Sequence, residues 1–167
     1  MNPSGIGRIS PDRLPSQPGS YLLMLKLAVD AEIRVGRLGA IGFRGGWYAY
    51  AGSAFGSGGL AGRLRHHLRP VNKRHWHVDY LRDHARVLEV WMAVGPPNRE
   101  HEWARVLARN PGAGKEVRGF GCSGCRCPSH LLYFDARPGD DLIRRKLGAC
   151  ILHCYCDSMA PRSGPLP

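Results

Sequence analysis

Two segments that combine tyrosine with glycine, followed by a basic run, hold the residues best suited to chemistry in this sequence. The first segment is Gly19-Ser20-Tyr21, the second is Tyr48-Ala49-Tyr50-Ala51-Gly52, and the basic run occupies residues 59–67. Hydrolysis of a phosphodiester needs an activated water, a cation that absorbs charge on the phosphoryl oxygens, and help for the leaving oxygen. Phenols beside cations therefore predict phosphodiester chemistry.

These motifs resemble, in order, those of the GIY-YIG nuclease superfamily, and most closely those of its small Uri-type branch. The first signature is degenerate, because Ser20 stands where isoleucine is usual. Further matching segments are His75-Trp76-His77-Val78-Asp79-Tyr80-Leu81, Glu102, Gly119-Phe120-Gly121 and Cys125-Arg126-Cys127-Pro128-Ser129-His130-Leu131. The resemblance covers residues 19–134. It implies a divalent-metal-dependent endonuclease that acts on DNA, and it leaves RNA open as a partner.

The resemblance also implies roles for particular side chains. Tyr50 would accept a proton from the attacking water if nearby cations lower its pKa, and Tyr21 would orient that water or support Tyr50. Arg63 is the best candidate to bind the scissile phosphate, because a guanidinium is a planar and permanently charged fork. Arg65 is its rival, and His67 lies one helical turn after Arg63 on the same face. Without the resemblance, tyrosines in strands are more often core aromatics.

Glu102 is the expected ligand of one Mg²⁺ or Mn²⁺ ion. In the resembled family a single glutamate on a helix holds the metal, and Mg²⁺ typically uses one or two carboxylates while it keeps several waters. Glu100 is the near rival. His75 is the candidate for an additional catalytic histidine, with a purely structural role as the equal alternative. The asparagine that other family members carry late in the domain is not located in this sequence, and the resemblance leaves open that the loop with Cys125, Cys127 and His130 borders the active site in its place.

A second, less favoured possibility is a zinc site in the cysteine-rich segment. Its members are Cys122, Cys125, Cys127 and His130. The short spacings are those of zinc ligands, but all four residues fall within one tight loop, whereas structural zinc sites usually join two separated pairs. A second group could supply the other pair: Cys150, His153, Cys154 and Cys156. A zinc-stabilised interaction domain is therefore one alternative function.

Charge favours a polyanionic partner. The chain has 24 Lys and Arg against 13 Asp and Glu, a net charge of +11, and a sequence pI near 9.9. Phosphate contacts release counterions, so such a chain is attracted to nucleic acid even without a specific site. The predicted nucleic-acid-binding residues are Arg63, Arg65, Arg69, Lys73 and Arg74. A binding module that keeps this surface but has lost catalysis is the other alternative function.

Length and composition predict one domain without a membrane partner. The 167 residues suit a single domain. No apolar run approaches the roughly 20 residues of a membrane span, and residues 1–18 lack the apolar core of a signal peptide. We therefore expect a cytoplasmic protein, in which the six cysteines remain thiols or metal ligands.

The hydrophobic pattern predicts an α+β fold, with a small mixed or antiparallel sheet flanked by helices. Residues 1–18 are expected to form a disordered arm, 19–136 the nuclease-like domain, and 137–167 an extension that is partly helical and then disordered. Expected strands are 21–29, 32–38, 47–51, 86–94 and 131–134, the first two joined by a tight hairpin at Asp30-Ala31. Expected helices are 59–69, 76–81 and 99–109.

Overall fold

The structure is a computed structural model that describes residues 13–114 and 117–147 and the backbone of Cys154 and Tyr155. The strands are β1 (Gly19–Leu27), β2 (Ala31–Val35), β3 (Gly39–Phe43), β4 (Gly46–Ala54), β5 (Arg86–Val94), β6 (Leu131–Phe134) and β7 (Cys154–Tyr155). The helices are α1 (Gly59–Leu68), α2 (His77–Arg82) and α3 (Arg99–Ala108), followed by a short π-helix at Leu142–Lys146. Among the described helices, none has the length and apolar composition to cross a bilayer.

The core is a five-stranded antiparallel sheet in the order β6-β4-β1-β5-β7. The central strand β1 is almost entirely buried, because helices cover both faces of the sheet. Tyr21, Leu23 and Leu25 point to the side of α1 and α2, whereas Leu22 and Met24 point to the side of α3. This arrangement confirms the predicted α+β fold and its antiparallel sheet.

The predicted hairpin between the first two strands is wrong. β2 pairs with β3 in a separate two-stranded sheet, while β1 lies between β4 and β5. Asp30 does not turn β1 back on itself, and its carboxylate instead accepts a hydrogen bond from the backbone N–H of Gly45. The hydrophobic pattern does not indicate β3, because glycines, which have low strand propensity, occupy two of its five positions.

Part of the predicted N-terminal arm belongs to the folded domain. The carbonyls of Pro15 and Gln17 accept hydrogen bonds from the first N–H groups of α1, at Ala61 and Leu60. Gly59 allows this approach, since a Cβ there would lie 2.1 Å from the carbonyl oxygen of Ser16. Residues 13–18 thus cap α1, and the rest of the predicted arm lies outside the described residues.

The core also continues past the predicted domain boundary at residue 136. Ile143 and Leu147 are buried against the α3 side of the sheet, and the indole N–H of Trp103 donates to the carbonyl of Leu147 at 3.0 Å. Arg137 forms an ion pair with Glu89 of β5. The predicted C-terminal extension therefore contributes packing at least to Leu147; residues 148–153 and 156–167 lie outside the described residues.

Candidate active site

The two tyrosines predicted to act together lie on one face of the sheet. β1 and β4 are antiparallel, with Tyr21 opposite Gly52 and Leu23 opposite Tyr50. The Tyr21 ring lies over Gly52, where a Cβ would come within 2.4 Å of the phenol oxygen. The ring centroids of Tyr21 and Tyr50 are 6.4 Å apart. The glycine that ends the second signature is thus required sterically, because it makes room for the first tyrosine.

His67 connects Tyr21 to a buried carboxylate. Its Nε2 lies 2.8 Å from the Tyr21 hydroxyl, and its Nδ1 lies 3.6 Å from Oδ1 of Asp79. Among the described residues, this Nδ1 has no hydrogen-bond partner. Burial lowers the pKa of His67 to about 4, although Asp79 opposes the shift. His67 is therefore neutral near pH 7, and its Nε2 can accept the hydrogen bond of the Tyr21 hydroxyl.

Asp79 holds this part of the site together. Its carboxylate accepts hydrogen bonds from the backbone N–H groups of His75 and Trp76, at 2.9 and 3.1 Å, and from Arg82 at 2.9 Å. Burial alone would raise the pKa of Asp79, but its hydrogen bonds hold the pKa well below the usual value. With its lone pairs engaged in this way, Asp79 is not suited to bind a metal ion together with the nearby histidines.

The structure contradicts one condition of the predicted mechanism. Tyr50 was expected to act as a base because nearby cations would lower its pKa. Burial instead raises the pKa of Tyr50, and the opposing effect of Arg63 is smaller. Burial also raises the pKa of Tyr21 well above its usual value. Both phenols are therefore protonated near pH 7, so each can donate a hydrogen bond.

Arg63, rather than its rival Arg65, is next to the tyrosines. Its guanidinium stacks on Trp76 with 4.0 Å between the central carbon and the ring centroid, and its charge lowers the pKa of both phenols against the larger effect of burial. Stacking on an aromatic face restricts the rotamers of the long side chain. This positions a fixed positive charge beside two phenols.

Three of the predicted nucleic-acid-binding residues line one groove, which we call the basic groove. It has a volume of about 430 Å³ and is lined by Arg65, Arg69 and Lys73 together with His75. His75 is exposed there, with its ring centroid 5.9 Å from that of His66 and 5.5 Å from that of Trp76, and its catalytic role stays a prediction. Arg74 is ion-paired with Asp83 at 2.6 Å and does not line the groove.

Replacing Arg65 and Arg69 together by Ala is expected to reduce the salt dependence of duplex binding. Each phosphate contact that is lost lowers the slope of log K against log[salt] by about 0.9. Arg74→Ala is the control and should leave the slope unchanged, because Asp83 already neutralises Arg74. Fluorescence anisotropy at several salt concentrations measures the slope. Equal slopes for the wild type and the double variant would place the DNA contacts outside the basic groove.

Glu100, and not Glu102, is buried against the sheet, on its α3 side. Glu102 lies on the exposed face of α3. Glu100 is 6% exposed and accepts a hydrogen bond from Ser20, the residue before Tyr21, at 3.1 Å. Its charge contributes to the raised pKa of Tyr50, after the larger effect of burial. Glu100 and Glu102 point in different directions on the helix, so their environments differ, and the choice of metal ligand between them stays a prediction.

A cluster of two cysteines and two histidines lies next to Glu100. Cys125, Cys127 and His130 come from the predicted cysteine-rich segment, and His101 of α3 joins them. Their ligand atoms all lie within 4.8 Å of one another. Cys122 lies outside this cluster, and its thiol donates to the carbonyl of Phe120 instead. His101 is the residue that sequence reasoning missed, since no spacing motif connects it to a loop more than 20 residues later.

The second predicted group of zinc ligands lies almost entirely outside the described residues. Its members there are Cys150, His153 and Cys156, and only the backbone of Cys154 is described. The cluster around His101 does not depend on this group, because α3 and the loop before β6 supply all four of its side chains.

Acidification is expected to destabilise the fold through His67. Its folded pKa of about 4 lies below the ordinary value of 6.5, so its stabilising contribution is complete above pH 6.5 and is lost as the pH falls toward 4. Between pH 6.5 and about pH 5 the free energy of unfolding should fall by about 2 kcal/mol from this residue. Urea unfolding of the wild type and of His67→Gln at both pH values isolates it. An equal loss in both proteins would contradict the assignment.

One protein family matches most of this chain. A domain of unknown function, DUF123, matches residues 20–150. The chain belongs to the DUF123 family. The matched residues include both tyrosines, Glu100 and the Cys/His cluster. They also include His67 and Asp79, which are linked to Tyr21 by successive side-chain contacts. Comparison with curated proteins and with solved structures finds no match.

Proposed function

We propose that this DUF123 domain is a divalent-metal-dependent endonuclease that hydrolyses phosphodiester bonds in DNA. The observation that carries the proposal is the contact between Tyr21 and His67, at 2.8 Å, beside the guanidinium of Arg63. A proton acceptor behind a phenol and a fixed cation beside it are two groups that phosphodiester hydrolysis requires. The resemblance to GIY-YIG nucleases supports the same reaction. A DNA substrate agrees with the expected cytoplasmic location.

The contact with His67 supports Tyr21, rather than Tyr50, as the group that handles the proton of water. A water that donates to the Tyr21 oxygen can lose its proton to this oxygen while the phenol proton moves to Nε2 of His67. The resulting imidazolium faces Asp79, whose Oδ1 lies 3.6 Å from Nδ1. This carboxylate offsets the low proton affinity that burial gives to His67. The proton thus leaves the water without a free phenolate near pH 7.

Arg63 and Tyr50 are proposed to bind the phosphoryl oxygens. Stacking on Trp76 holds the guanidinium of Arg63 in place before substrate binds. Preorganised donors stabilise developing charge at no reorganisation cost during the reaction. Tyr50 is 5% exposed and, because burial raises its pKa, it carries the proton needed to donate. Its role is therefore that of a donor to the phosphate rather than a base.

Glu100 is the proposed ligand for Mg²⁺ or Mn²⁺. Its carboxylate fits a hard cation, because the Ser20 hydroxyl and a histidine contact at 3.5 Å leave lone pairs available on its two oxygens. One carboxylate with several waters is a usual way for proteins to hold Mg²⁺. The bound ion would stabilise negative charge on the phosphoryl and leaving oxygens.

The basic groove is proposed to hold the DNA backbone next to this site. His66 of α1 lines the groove and also contacts the site, since its Nε2 lies 3.2 Å from Oδ2 of Asp79 and its ring centroid lies 4.7 Å from that of Trp76. Contacts of this kind recognise phosphates and not bases, so they favour no particular sequence.

One observation favours a second function, a nucleic-acid-binding module without catalysis. Tyr21 is 1% exposed, so substrate must displace neighbouring groups before a water can reach its hydroxyl. In this alternative the basic groove binds nucleic acid while the tyrosines serve only the core.

Incubation with labelled branched, nicked, single-stranded and duplex DNA tests the proposal and separates the two functions. Protein dialysed free of loosely bound ions is assayed with Mg²⁺, with Mn²⁺ and without added metal. An endonuclease cleaves at least one of these substrates only when the divalent ion is added. Binding to every substrate with no cleavage by either ion would overturn the nuclease proposal in favour of the binding module. Parallel RNA versions of the substrates decide between the two nucleic acids.

A further inference from the structure

We propose that His101, Cys125, Cys127 and His130 form a closed tetrahedral site for one zinc ion. Nδ1 of His101 lies 3.2 Å from Nε2 of His130 and 3.3 Å from the sulfur of Cys127, while the sulfur of Cys125 lies 3.4 Å from Nε2 of His130. Zinc bonds of about 2.0–2.1 Å to nitrogen and 2.3 Å to sulfur give tetrahedral edges of about 3.3 Å between nitrogens and 3.6 Å between nitrogen and sulfur. The side chains therefore already surround a zinc-sized space.

The outer ring nitrogens of both histidines face acceptor oxygens, so the inner nitrogens are available to bind a metal ion in this space. Nδ1 of His130 lies 3.0 Å from the carbonyl oxygen of Ala51, which can only accept, so Nδ1 carries the proton and Nε2 carries a lone pair. Nε2 of His101 faces Oε1 of Glu100 at 3.5 Å. With the proton of His101 on that side, its Nδ1 offers a lone pair to a metal ion, 3.2 Å from Nε2 of His130. Without a metal ion, Nδ1 of His101 can instead donate a hydrogen bond to Nε2 of His130 across the same distance.

These outer contacts are those of a metal-binding histidine. Zinc-bound imidazoles usually donate their other N–H to a carboxylate or to a backbone carbonyl, which fixes the tautomer and the ring orientation. Glu100 supplies the carboxylate for His101, and Ala51 supplies the carbonyl for His130. Glu100 and Ala51 belong to α3 and β4, two elements of the core, so the folded core orients the rings of both histidines.

The donor set selects zinc and a structural role. Two thiolates and two imidazoles suit zinc, whereas magnesium and calcium prefer oxygen ligands. All four positions are filled by side chains, so no open position remains for water or substrate, as in structural zinc sites. The site therefore differs in chemistry from the oxygen ligand Glu100 that lies beside it.

The zinc would join α3 to the loop at residues 119–130. This loop is closed by backbone hydrogen bonds from Gly119 to Pro128 and from His130 to Phe120, each 2.8 Å. His101 directly follows Glu100, so a metal bound to His101 fixes the part of α3 from which Glu100 extends. This consequence for Glu100 rests on the proposed nuclease function, but the metal site itself does not.

Metal analysis of the purified, reduced protein tests the proposal. We expect about one zinc ion per chain in the wild type, and stoichiometric uptake of Co²⁺ by the metal-free protein with the strong visible absorption of a tetrahedral site with thiolate ligands. Cys127→Ser should lose the bound zinc. Cys122→Ser is the matched control and should retain it, because the Cys122 thiol lies outside the cluster.

If Cys127→Ser fails to fold, the zinc content and the Co²⁺ spectrum of the wild type still test the proposal. A wild type that binds no zinc and gives no tetrahedral Co²⁺ spectrum would overturn the proposal, as would a Cys125–Cys127 disulfide in freshly prepared protein. Loss of zinc from Cys122→Ser equal to that from Cys127→Ser would also overturn the ligand assignment. None of these results depends on DNA cleavage, so the zinc site and the nuclease function can fail separately.

Discussion

Tyr21→Phe, Arg63→Ala and Glu100→Gln are each expected to lower the rate of Mg²⁺-dependent DNA cleavage by about two orders of magnitude or more. The three changes remove the proton path to His67, the fixed cation on Trp76 and the metal ligand, respectively. DNA affinity should change far less, since the basic groove remains. Double variants should lose little beyond the worse single variant, because groups that act as one catalytic unit are not additive.

Glu102→Gln is the matched control for Glu100→Gln. The two residues lie on the same helix, but Glu102 is exposed and Glu100 is buried against Ser20. Glu102→Gln should therefore cleave at nearly the wild-type rate. Zinc content, measured in the same samples, reveals whether Glu100→Gln acts through His101. If Glu102→Gln lost cleavage while Glu100→Gln remained active, the metal ligand would be Glu102, the residue expected from the sequence.

Asp79→Ala is expected to lower the free energy of unfolding by about 3–5 kcal/mol, the usual cost of removing one partner from a buried ion pair. The change leaves the guanidinium of Arg82 buried without its carboxylate, and it also leaves the N–H groups of His75 and Trp76 without an acceptor. Urea denaturation of the reduced protein measures the loss. The magnitude reflects how many donors one carboxylate serves.

Asp83→Ala provides the comparison for this result. Asp83 also pairs with an arginine close by, but its partner Arg74 is half exposed to solvent, and surface pairs of this kind contribute about 0–1 kcal/mol. If the two alanine variants were equally stable, the network around Asp79 would not support the fold, and the position of His67 would need another explanation. Asp79→Asn gives an intermediate measurement if Asp79→Ala does not fold.

The fold class followed from the sequence because the sheet strands carry strong apolar runs and the helices have clear turns and stops. The extents of most elements agree with the predicted ranges within a few residues, as for the strand at Arg86–Val94 and the helix at Arg99–Ala108. The pairing of the strands could not be predicted, because the hydrophobic pattern along one strand does not indicate which strand lies beside it. The packing of Leu147 on Trp103 is a long-range contact of this kind, whereas β2 pairs locally with β3 instead of with β1.

The sequence indicates those parts of the candidate site that lie in short motifs. The tyrosines and Arg63 lie in motifs whose spacing indicates their relative positions, and the structure brings them together. The choice between Glu100 and Glu102 depends on which face of α3 packs on the sheet. His101 joins cysteines that are more than 20 residues away in sequence, and only the tertiary fold creates that contact. The pKa of Tyr50 likewise depends on burial, which the local sequence does not give.

Single-turnover cleavage of a labelled DNA substrate by the wild type, Tyr21→Phe and Tyr48→Phe tests the central claim most directly. Tyr48 is also buried, and its hydroxyl donates to the carbonyl of Arg44 rather than to His67, so it controls for the loss of a buried phenol oxygen. We predict that Tyr48→Phe cleaves at a rate close to that of the wild type and that Tyr21→Phe is slower by about two orders of magnitude or more. Equal cleavage by Tyr21→Phe and the wild type would contradict the account.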